Sequence, residues 1–269
     1  MTVAAAAVTC TDLTVRRGKR EAVRNVSFTL DAGRWLAVIG RNGSGKSTLL
    51  LTLAGLLRRQ SGQAEVRGAL ETVLQNTALD KLLTVRENAM LFARLRGVAA
   101  EQAAARIASL AGSLGVEDRL NDRVGSLSGG LARRADLLRA CVTGPEILLL
   151  DEPTAGLDET ARRGFLESVR LLRDAGRTTL VWATHDDAEA RAADHVAVLD
   201  DGERAAFEPP EALAARAADR IVLSVSGEPD RTGAAGPLRE AAERAVAEGR
   251  TVRLRPISLL ESALEPSFR

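Results

Sequence analysis

The sequence predicts an α/β fold built around a mainly parallel core sheet. Segments with the character of strands alternate along most of the chain with segments of helical periodicity. The strand segments Trp35–Ile39, Ile147–Leu150 and Thr178–Ala183 are largely apolar without polar alternation, which is typical of strands covered on both faces. The first of them runs directly into a glycine-rich loop that precedes a helix. Together these features predict a sheet whose strand ends border a ligand crevice.

The elements follow one another in a regular order. The first two strands, Val8–Val15 and Val26–Leu30, are separated by a turn at Arg16–Ala22, and the glycine-rich loop leads into a helix at Ser47–Leu57. The remaining expectations, in chain order, are one or two short strands within 61–74, helices at 84–96 and 99–114, a helix after Ser128–Gly130, the strand Ile147–Leu150, a helix at 159–175, the strand Thr178–Ala183 and a closing strand at Val196–Leu199.

A domain boundary is expected near residue 215. We assign residues 1–215 to a main domain with a helical subdomain at about 76–142, and residues 216–269 to a small C-terminal accessory domain. In the accessory domain, strands at Ile221–Val225 and Thr251–Leu254 flank a helix at 237–248. The connector Ser226–Gly236 is rich in Gly, Asp and Pro. This pattern predicts a small α+β appendage of the βαβ kind.

Composition excludes several functional classes. The 37 basic and 36 acidic residues leave a net charge of +1, so no global field attracts nucleic acid or an anionic membrane. The apolar runs are too short to span a bilayer, and we expect no membrane insertion. The two cysteines, Cys10 and Cys141, stand far apart and form no metal-binding pattern. These features predict a cytoplasmic protein.

A phosphate-binding loop is the most specific motif. Gly40–Ser47 fits the pattern GxxxxGK[ST], and the expected strand enters it and the expected helix leaves it. Its glycines let backbone N–H groups turn towards phosphate oxygens, and the helix N-terminus adds a favourable dipole. Lys46 is placed to reach the β- and γ-phosphates, and the Ser47 hydroxyl to hold Mg²⁺. The motif predicts a P-loop NTPase that binds ATP and Mg²⁺ through Gly40, Arg41, Asn42, Gly43, Ser44, Gly45, Lys46, Ser47 and Thr48.

An acidic pair directly follows the apolar strand Ile147–Leu150. Because the strand ends of a parallel sheet face the crevice, Asp151 is placed to hold Mg²⁺, either directly or through water. Glu152 is placed to polarise the attacking water as a general base. Acidic pairs are also common in solvated turns, but downstream of a complete phosphate loop this one predicts nucleotide hydrolysis.

Four further motifs complete the pattern. Leu127–Leu131 reads LSGGL, Asp158 ends an Ala-Gly-Leu-Asp segment, His185 follows a buried strand, and Gln75 lies in Val-Leu-Gln-Asn. In this order the motifs resemble the signature loop, D-loop, switch histidine and Q-loop of ABC ATPase nucleotide-binding domains, over roughly residues 8–210. The resemblance implies a helical signature subdomain and a small antiparallel β subdomain beside the parallel core.

The resemblance also implies a mechanism. Two subunits, in a homodimer or a heterodimer with a related ATPase, would pair head to tail around two ATP molecules. Ser128–Gly130 of one subunit would meet the γ-phosphate bound by the other, because small residues at a helix start form an anion site. His185 would stabilise developing charge, and Gln75 would join the catalytic and Mg²⁺-binding residues. Asp158 would couple the two sites, although an Asp here also suits the N-cap of the next helix.

The chain departs from the family pattern at three places. It has no tyrosine, and Arg17 stands where the family stacks a ring on adenine; a guanidinium can stack on a base, but a solvated basic turn is an equal alternative. Leu131 replaces the usual signature glutamine, from which we expect slower or more partner-dependent turnover. Lys46 and Gln75 are 29 positions apart. This interval is too short for the family's full three-stranded antiparallel segment, so we expect a reduced β subdomain.

The segment after Gln75 indicates the kind of ABC protein. Leu83–Asn88 and Phe92–Gly97 resemble this region in the ATPases of bacterial drug, heme and polysaccharide exporters, as does the C-terminal Ile257–Leu264. Those ATPases are separate polypeptides, so the resemblance implies a transmembrane permease on another chain and a peripheral place at the inner face of the cell membrane. An importer ATPase, or a soluble ABC ATPase with a non-membrane partner, stays open as an alternative.

Overall fold

A computed structural model describes residues 5–176, 178–216, 220–248 and 250–264. Within them the strands are β1 (Ala6–Arg17), β2 (Arg20–Asp31), β3 (Trp35–Gly40), β4 (Ser61–Val66), β5 (Leu70–Val73), β6 (Ile147–Asp151), β7 (Thr179–Thr184), β8 (His195–Asp200), β9 (Glu203–Glu208), β10 (Arg220–Val225), β11 (Arg231–Ala234) and β12 (Val252–Pro256). The helices are α1 (Lys46–Leu53), α2 (Val85–Leu95), α3 (Ala100–Ser113), α4 (Gly129–Cys141), α5 (Glu159–Gly176), α6 (Asp187–Arg191), α7 (Pro210–Arg216), α8 (Ala235–Ala247) and α9 (Leu259–Leu264).

A six-stranded sheet in the order β5-β6-β7-β3-β8-β9 forms the centre of the main domain. The strands β5, β6, β7, β3 and β8 are mutually parallel, and β9 pairs antiparallel with β8. Every residue of β3, β6 and β7 is buried, as their uninterrupted apolar segments predict. The predicted α/β fold with a mainly parallel core is confirmed.

The two faces of this sheet bury different side chains. Trp35 on β3 stacks on Trp182 of β7 with 5.4 Å between ring centroids, and Phe165 of α5 meets Trp182 edge-on at 5.8 Å. These rings belong to a core shared with α2, α3, α4 and α5. Alternate residues of β3 and β7, such as Val38 and Val181, face a second core shared with α1 and the strands β1 and β2. Helices therefore lie on both faces, and the carboxyl ends of β6, β7 and β3 meet at one edge.

A smaller antiparallel sheet has the order β2-β1-β4. The short interval between Lys46 and Gln75 contains two strands. Of these, β4 joins the antiparallel sheet, whereas β5 pairs with β6 as the parallel edge strand of the central sheet. Three antiparallel strands are thus present, but β1 and β2 from the start of the chain supply two of them.

Four expectations about individual elements are wrong. The turn predicted at Arg16–Ala22 is shorter, because β1 continues to Arg17 and β2 begins at Arg20, and their ends pair with each other. The series does not close at Val196–Leu199, since β9 follows after a tight turn at Asp201 and Gly202, both with positive φ. Helix α1 ends at Leu53 rather than Leu57, because Gly55 takes φ +73° and ends the helical path. The appendage is not of the βαβ kind: β11 lies in the connector and pairs with β10, and β12 returns antiparallel to β10.

The C-terminal segment contains both its own sheet and a contact with the main domain. Leu223, Val225 and Leu238 form a small separate core between this sheet and α8. In contrast, Leu259 and Ala263 of α9 are buried in the large core of the main domain. The expected boundary at 215–216 adjoins residues 217–219, which lie outside the described residues. Among the described residues, no helix has both the length and the apolar character needed to cross a membrane.

Candidate functional site

The glycine-rich loop lies between β3 and α1 in a conformation that only small residues permit. Gly43 has φ +80° and Gly45 φ +106°, both in the left-handed region. A Cβ at Gly45 would lie 2.2 Å from the carbonyl oxygen of Ala22, and one at Gly40 would lie 2.4 Å from that of Leu199. The backbones of β2 and β8 therefore approach the loop too closely to leave room for a side chain. This close approach explains why the sequence needs glycine at these positions.

A cleft of about 440 Å³ opens over this loop. Its lining combines residues from the first hairpin, the phosphate loop, the segment after β5 and the end of β6. They are Arg17, Arg20, Ala22, Asn42, Gly43, Gly45, Lys46, Ser47, Thr48, Gln75 and Glu152. The buried hydroxyl of Ser44, within the same loop, has no hydrogen-bond partner among the described residues. An unsatisfied donor beside a phosphate-binding loop is what a bound phosphate would satisfy.

Lys46 is buried, with only 5% of its side chain exposed. Its Nζ donates to the carbonyl oxygen of Gly40 at 2.9 Å and to that of Arg41 at 3.3 Å. The same Nζ lies 3.5 Å from Oε1 of Glu152. A buried ammonium held this way offers a fixed positive charge at the phosphate loop, which phosphate oxygens can share.

Ser47 and Asp151 form an oxygen pair across the crevice. The Ser47 hydroxyl donates to Oδ1 of Asp151 at 3.0 Å. Burial raises the pKa of the Asp151 carboxyl, the hydrogen bond from Ser47 and the charge of Lys46 lower it, and nearby Glu152 raises it further. Hydroxyl and carboxylate oxygens are the hard ligands that Mg²⁺ prefers, and a divalent cation would relieve the unfavourable burial of this carboxylate. The residues present therefore fit a magnesium site.

Glu152 stands at the end of β6 with a strained backbone. Its φ of +45° is unusual for a residue with a side chain, and its N–H donates to the carbonyl of Ala183 at 2.9 Å. Its Oε2 lies 3.9 Å from Nδ1 of His185, whose side chain is 63% exposed. The strained turn therefore directs the Glu152 carboxylate between the buried Lys46 and the open His185, at the mouth of the cleft.

The signature residues lie elsewhere. Ser128 is the N-cap of α4, and its hydroxyl accepts from the N–H of Leu131 at 3.4 Å. Ser128 and Gly129 are exposed, whereas Gly130 is buried against Ala161, so close that a Cβ would lie 2.8 Å from that methyl group. Among the described residues, the signature contributes nothing to the lining of the cleft. The start of α4 is therefore exposed and separate from the cleft lining.

Asp158 takes the local role that its sequence position allows. Its Oδ1 accepts from the N–H of Ala161 at 2.8 Å, which makes it the N-cap of α5. The residue is also exposed, so the cap leaves the carboxylate accessible from outside.

Two basic residues of the first hairpin, Arg17 and Arg20, line the cleft. Arg16 is paired with Glu21 at 2.7 Å, while Arg20 donates to the Gly43 carbonyl and to Asp201. Arg20 was not singled out from the sequence, although the basic run at 16–20 is a visible signal for it.

Two buried side chains near the site, Glu189 and Arg133, belong to no sequence motif. Glu189 of α6 accepts from the hydroxyls of Thr154 and Thr184, so it connects the segment after Glu152 with the segment before His185. Arg133 of α4 donates to the carbonyl of Leu74 at 2.8 Å and to that of Gln75. The contacts of Glu189 with Thr154 and of Arg133 with Leu74 and Gln75 join residues far apart in sequence, so no local sequence pattern predicts them.

Taken together, the geometry suits hydrolysis of a nucleoside triphosphate. Residues of the phosphate loop, the buried ammonium of Lys46 and the carboxylate of Glu152 line one cleft, and Asp151 is hydrogen-bonded to Ser47 in that lining. Gln75 reaches this cleft from the segment after β5. His185 lies beside the Glu152 carboxylate, and the signature residues are not among those that line the cleft.

Comparisons with known proteins agree with this chemistry. Residues 23–155 match the model of the ABC transporter family. The chain is 37% identical over 211 residues to the Nod factor export ATP-binding protein I of Burkholderia lata, covering 74% of this chain and 69% of that protein. It is 33% identical over 224 residues to the linearmycin resistance ATP-binding protein LnrL of Bacillus subtilis, covering 78% and 72%. A solved dimeric ATP-binding cassette, in a post-hydrolysis state with ADP and phosphate, is 26% identical with a TM-score of 0.68 over 75% of this chain and 98% of that one.

Proposed function

The chain belongs to the family of ABC transporter ATP-binding proteins, and from that premise we propose that it powers export through a separate transmembrane permease as a Mg²⁺-dependent dimer. As a member of this family it binds and hydrolyses ATP, and it is the ATPase subunit of a transporter. We propose which residues perform the hydrolysis, how two subunits pair, and which kind of membrane protein is the partner.

The observation that carries the catalytic assignment is that Lys46, Ser47 and Glu152 line one cleft, with Asp151 hydrogen-bonded to Ser47. Lys46 would neutralise charge on the β- and γ-phosphates, and Glu152 would polarise the attacking water. Ser47 and Asp151, with Gln75 at the same cleft, would hold Mg²⁺, which supplies charge neutralisation on the phosphate oxygens when bound. His185 would stabilise charge that develops on the γ-phosphate.

Dimerisation is proposed from the position of the signature loop. Ser128 and Gly129 are exposed at the start of α4 and take no part in the lining of their own cleft. An exposed N-terminus of a helix with small residues is suited to an anion. A head-to-tail dimer would bring Ser128, Gly129 and Gly130 against the γ-phosphate of the partner's ATP, with exposed Asp158 near the interface. The solved relative is itself a dimer.

The membrane partner is proposed from the surface of α2. Leu91 and Leu95 are 47% and 74% exposed on this helix, and Leu82 just before it is 76% exposed. Large apolar side chains that are exposed together indicate a protein interface. We assign this surface to a permease at the inner face of the membrane. Export is the proposed direction because relatives are named for Nod factor export and linearmycin resistance.

The catalytic assignment is tested by Glu152→Gln. An amide cannot act as the general base, so ATP should persist between two subunits and produce a stable dimer. Size-exclusion chromatography with ATP and Mg²⁺ should reveal that dimer, together with a loss of hydrolysis. The control is Glu167→Gln on α5, where the carboxylate is 63% exposed and 3.9 Å from Arg170. Unchanged hydrolysis without a dimer would refute the role of Glu152.

The membrane partner is tested by purification from solubilised membranes. A tagged chain should recover a transmembrane protein encoded separately, and Leu95→Glu on α2 should reduce that recovery without changing ATP binding. Recovery with ribosomes in place of a membrane protein would overturn the transporter partner. Recovery of a permease that accumulates its substrate in the cell would overturn the exporter assignment alone.

A further inference from the structure

Helix α4 begins with the signature residues, and charged side chains tie its first turns to the segment that carries Gln75. Arg133 is 8% exposed, and its guanidinium donates to the carbonyl oxygens of Leu74 at 2.8 Å and of Gln75. The two acceptors are consecutive carbonyls, which a planar guanidinium with fixed donor directions can reach together. The backbone of Gln75 is therefore held directly by the signature helix.

The same helix makes two further contacts with this segment. Asp136 is fully buried, and its Oδ2 accepts from the N–H of Ala78 at 3.4 Å. Arg139 donates to the Thr72 carbonyl at 2.9 Å and to Oδ1 of Asp136 at 2.7 Å. Arg133, Asp136 and Arg139 recur at every third position, so they lie on one face of α4. Residues 72–78 are consequently attached to α4 at both ends and in the middle.

The other side of this attachment is α2. The Arg139 guanidinium lies 4.4 Å from the ring centroid of Phe92, on the helix that also exposes Leu91 and Leu95. Arg96 at the end of α2 pairs with buried Glu71 at 3.0 Å, one residue before Thr72. The Gln75 segment is thus held between the signature helix and the helix that we assign to the permease contact.

We propose that Arg133 is a positioning residue, which sets the backbone of Gln75 against α4 so that Gln75 and the signature loop approach their nucleotides as one unit. The proposal rests on the proposed function through the role given to Gln75. Arg133 itself does not line the cleft, and it acts only through the segment that it holds.

The first test measures the attachment without reference to hydrolysis. Arg133→Lys keeps the charge, but an ammonium lacks the fork that reaches two carbonyls, and Arg133→Gln provides a second variant of lower charge. Hydrogen–deuterium exchange of the intact protein should accelerate at the amides of 75–80 in both variants, with no change at the phosphate loop. The control is Arg134→Lys, because the Nε of Arg134 has no hydrogen-bond partner within the described part of the chain. Unchanged exchange at 75–80 would overturn the proposal.

The second test measures the functional link. Arg133→Lys should lower kcat for ATP about tenfold, the size expected when a buried charge-assisted hydrogen bond is lost, while KM for ATP changes less than about twofold. In a Gln75→Ala background the same substitution should change kcat by less than about twofold, since coupled residues are not additive. Full additivity would overturn the proposal and leave the role of Gln75 intact. A wild-type rate in Gln75→Ala alone would instead show that the proposed function misassigns Gln75, and the inference would fall with it.

Discussion

Removing the carboxylate of Glu189 should destabilise the protein and impair hydrolysis together. Glu189 is 1% exposed on α6 and accepts from the hydroxyls of Thr154 and Thr184. Thr154 lies two residues after Glu152, and Thr184 immediately precedes His185. The substitution Glu189→Ala would leave both buried hydroxyls without their acceptor and would free the two segments that carry the proposed catalytic pair.

The expected loss of stability can be estimated from these contacts. Each unsatisfied buried hydroxyl costs about 1–3 kcal/mol, and part of this is offset because a buried carboxylate no longer needs to be desolvated. We expect a loss of about 3 kcal/mol in the free energy of unfolding, against a typical total of about 5–15 kcal/mol. With a urea dependence of about 3 kcal/mol per molar, the midpoint would fall by about 1 M. Misplacement of Glu152 and His185 should lower kcat at least about tenfold.

The assays are urea denaturation followed by circular dichroism and steady-state ATP hydrolysis. Glu167→Ala, at a mostly exposed carboxylate on α5, is the control and should stay within about 0.5 kcal/mol of wild type. A Glu189→Ala protein with wild-type stability and kcat would refute the reasoning, because the two hydroxyls would then have no need of this acceptor.

The pH dependence of the same residue has a defined sign. Burial raises the pKa of Glu189 above its ordinary 4.5, and the hydroxyls of Thr154 and Thr184 only partly oppose this. A raised pKa gives a stabilising contribution that is complete below the ordinary value and is lost as pH rises through the folded value. Glu189→Gln cannot ionise, so the stability advantage of wild type over this variant should narrow as pH rises from 4.5 towards neutrality. An advantage that widens over this range would contradict the burial argument.

Three other predictions concern separate parts of the chain. Gly45→Ala should abolish ATP binding in calorimetry, because φ is +106° and a Cβ would lie 2.2 Å from a backbone carbonyl, whereas Gly164→Ala, with nothing within 4 Å, should bind normally. Arg17→Ala should weaken ATP binding most at low ionic strength, since an exposed guanidinium contact is screened by salt; an equal effect at all salt concentrations would argue against it. A hydrogen bond from Arg255 lowers the pKa of Glu261 to about 2, so this pair should protect the amides of 258–264 above the ordinary pKa of 4.5 and lose that protection as pH falls towards 2, which hydrogen exchange would detect.

Periodicity and motif order predicted the main elements of the fold but not all of their partners. The buried strands β3, β6 and β7 were predictable because helices cover both faces of the sheet, and such strands are apolar throughout. The ββαβ order of the appendage was not, because the connector at 226–236 has turn-like composition and yet contains β11. Short strands at a sheet edge carry little hydrophobic signal, and pairing decides them.

The candidate site, too, was predictable from the sequence only in part. The spacing of Gly40–Thr48, Asp151 and Glu152 predicted which side chains would meet, and the cleft brings Lys46, Ser47 and Glu152 together. From the sequence, Asp158 could either couple the two nucleotide sites of a dimer or cap the next helix. The structure shows that it caps α5, and its role in coupling stays a prediction. No sequence signal pointed to Arg133 or Glu189, because ordinary helical positions carry no motif.

The amino-acid sequence by itself determined the phosphate loop, the acidic pair and the family, because each depends on a few neighbouring residues whose chemistry and spacing are visible in one dimension. Tertiary structure alone decided how these parts are held relative to one another. Arg133 reaches the Leu74 carbonyl across 59 positions of sequence, and Glu189 reaches Thr154 across 35. Contacts of this kind arise only when helices pack on a finished sheet, so the residues that hold the Gln75 segment and the segments beside Glu152 and His185 become recognisable only after the chain has folded.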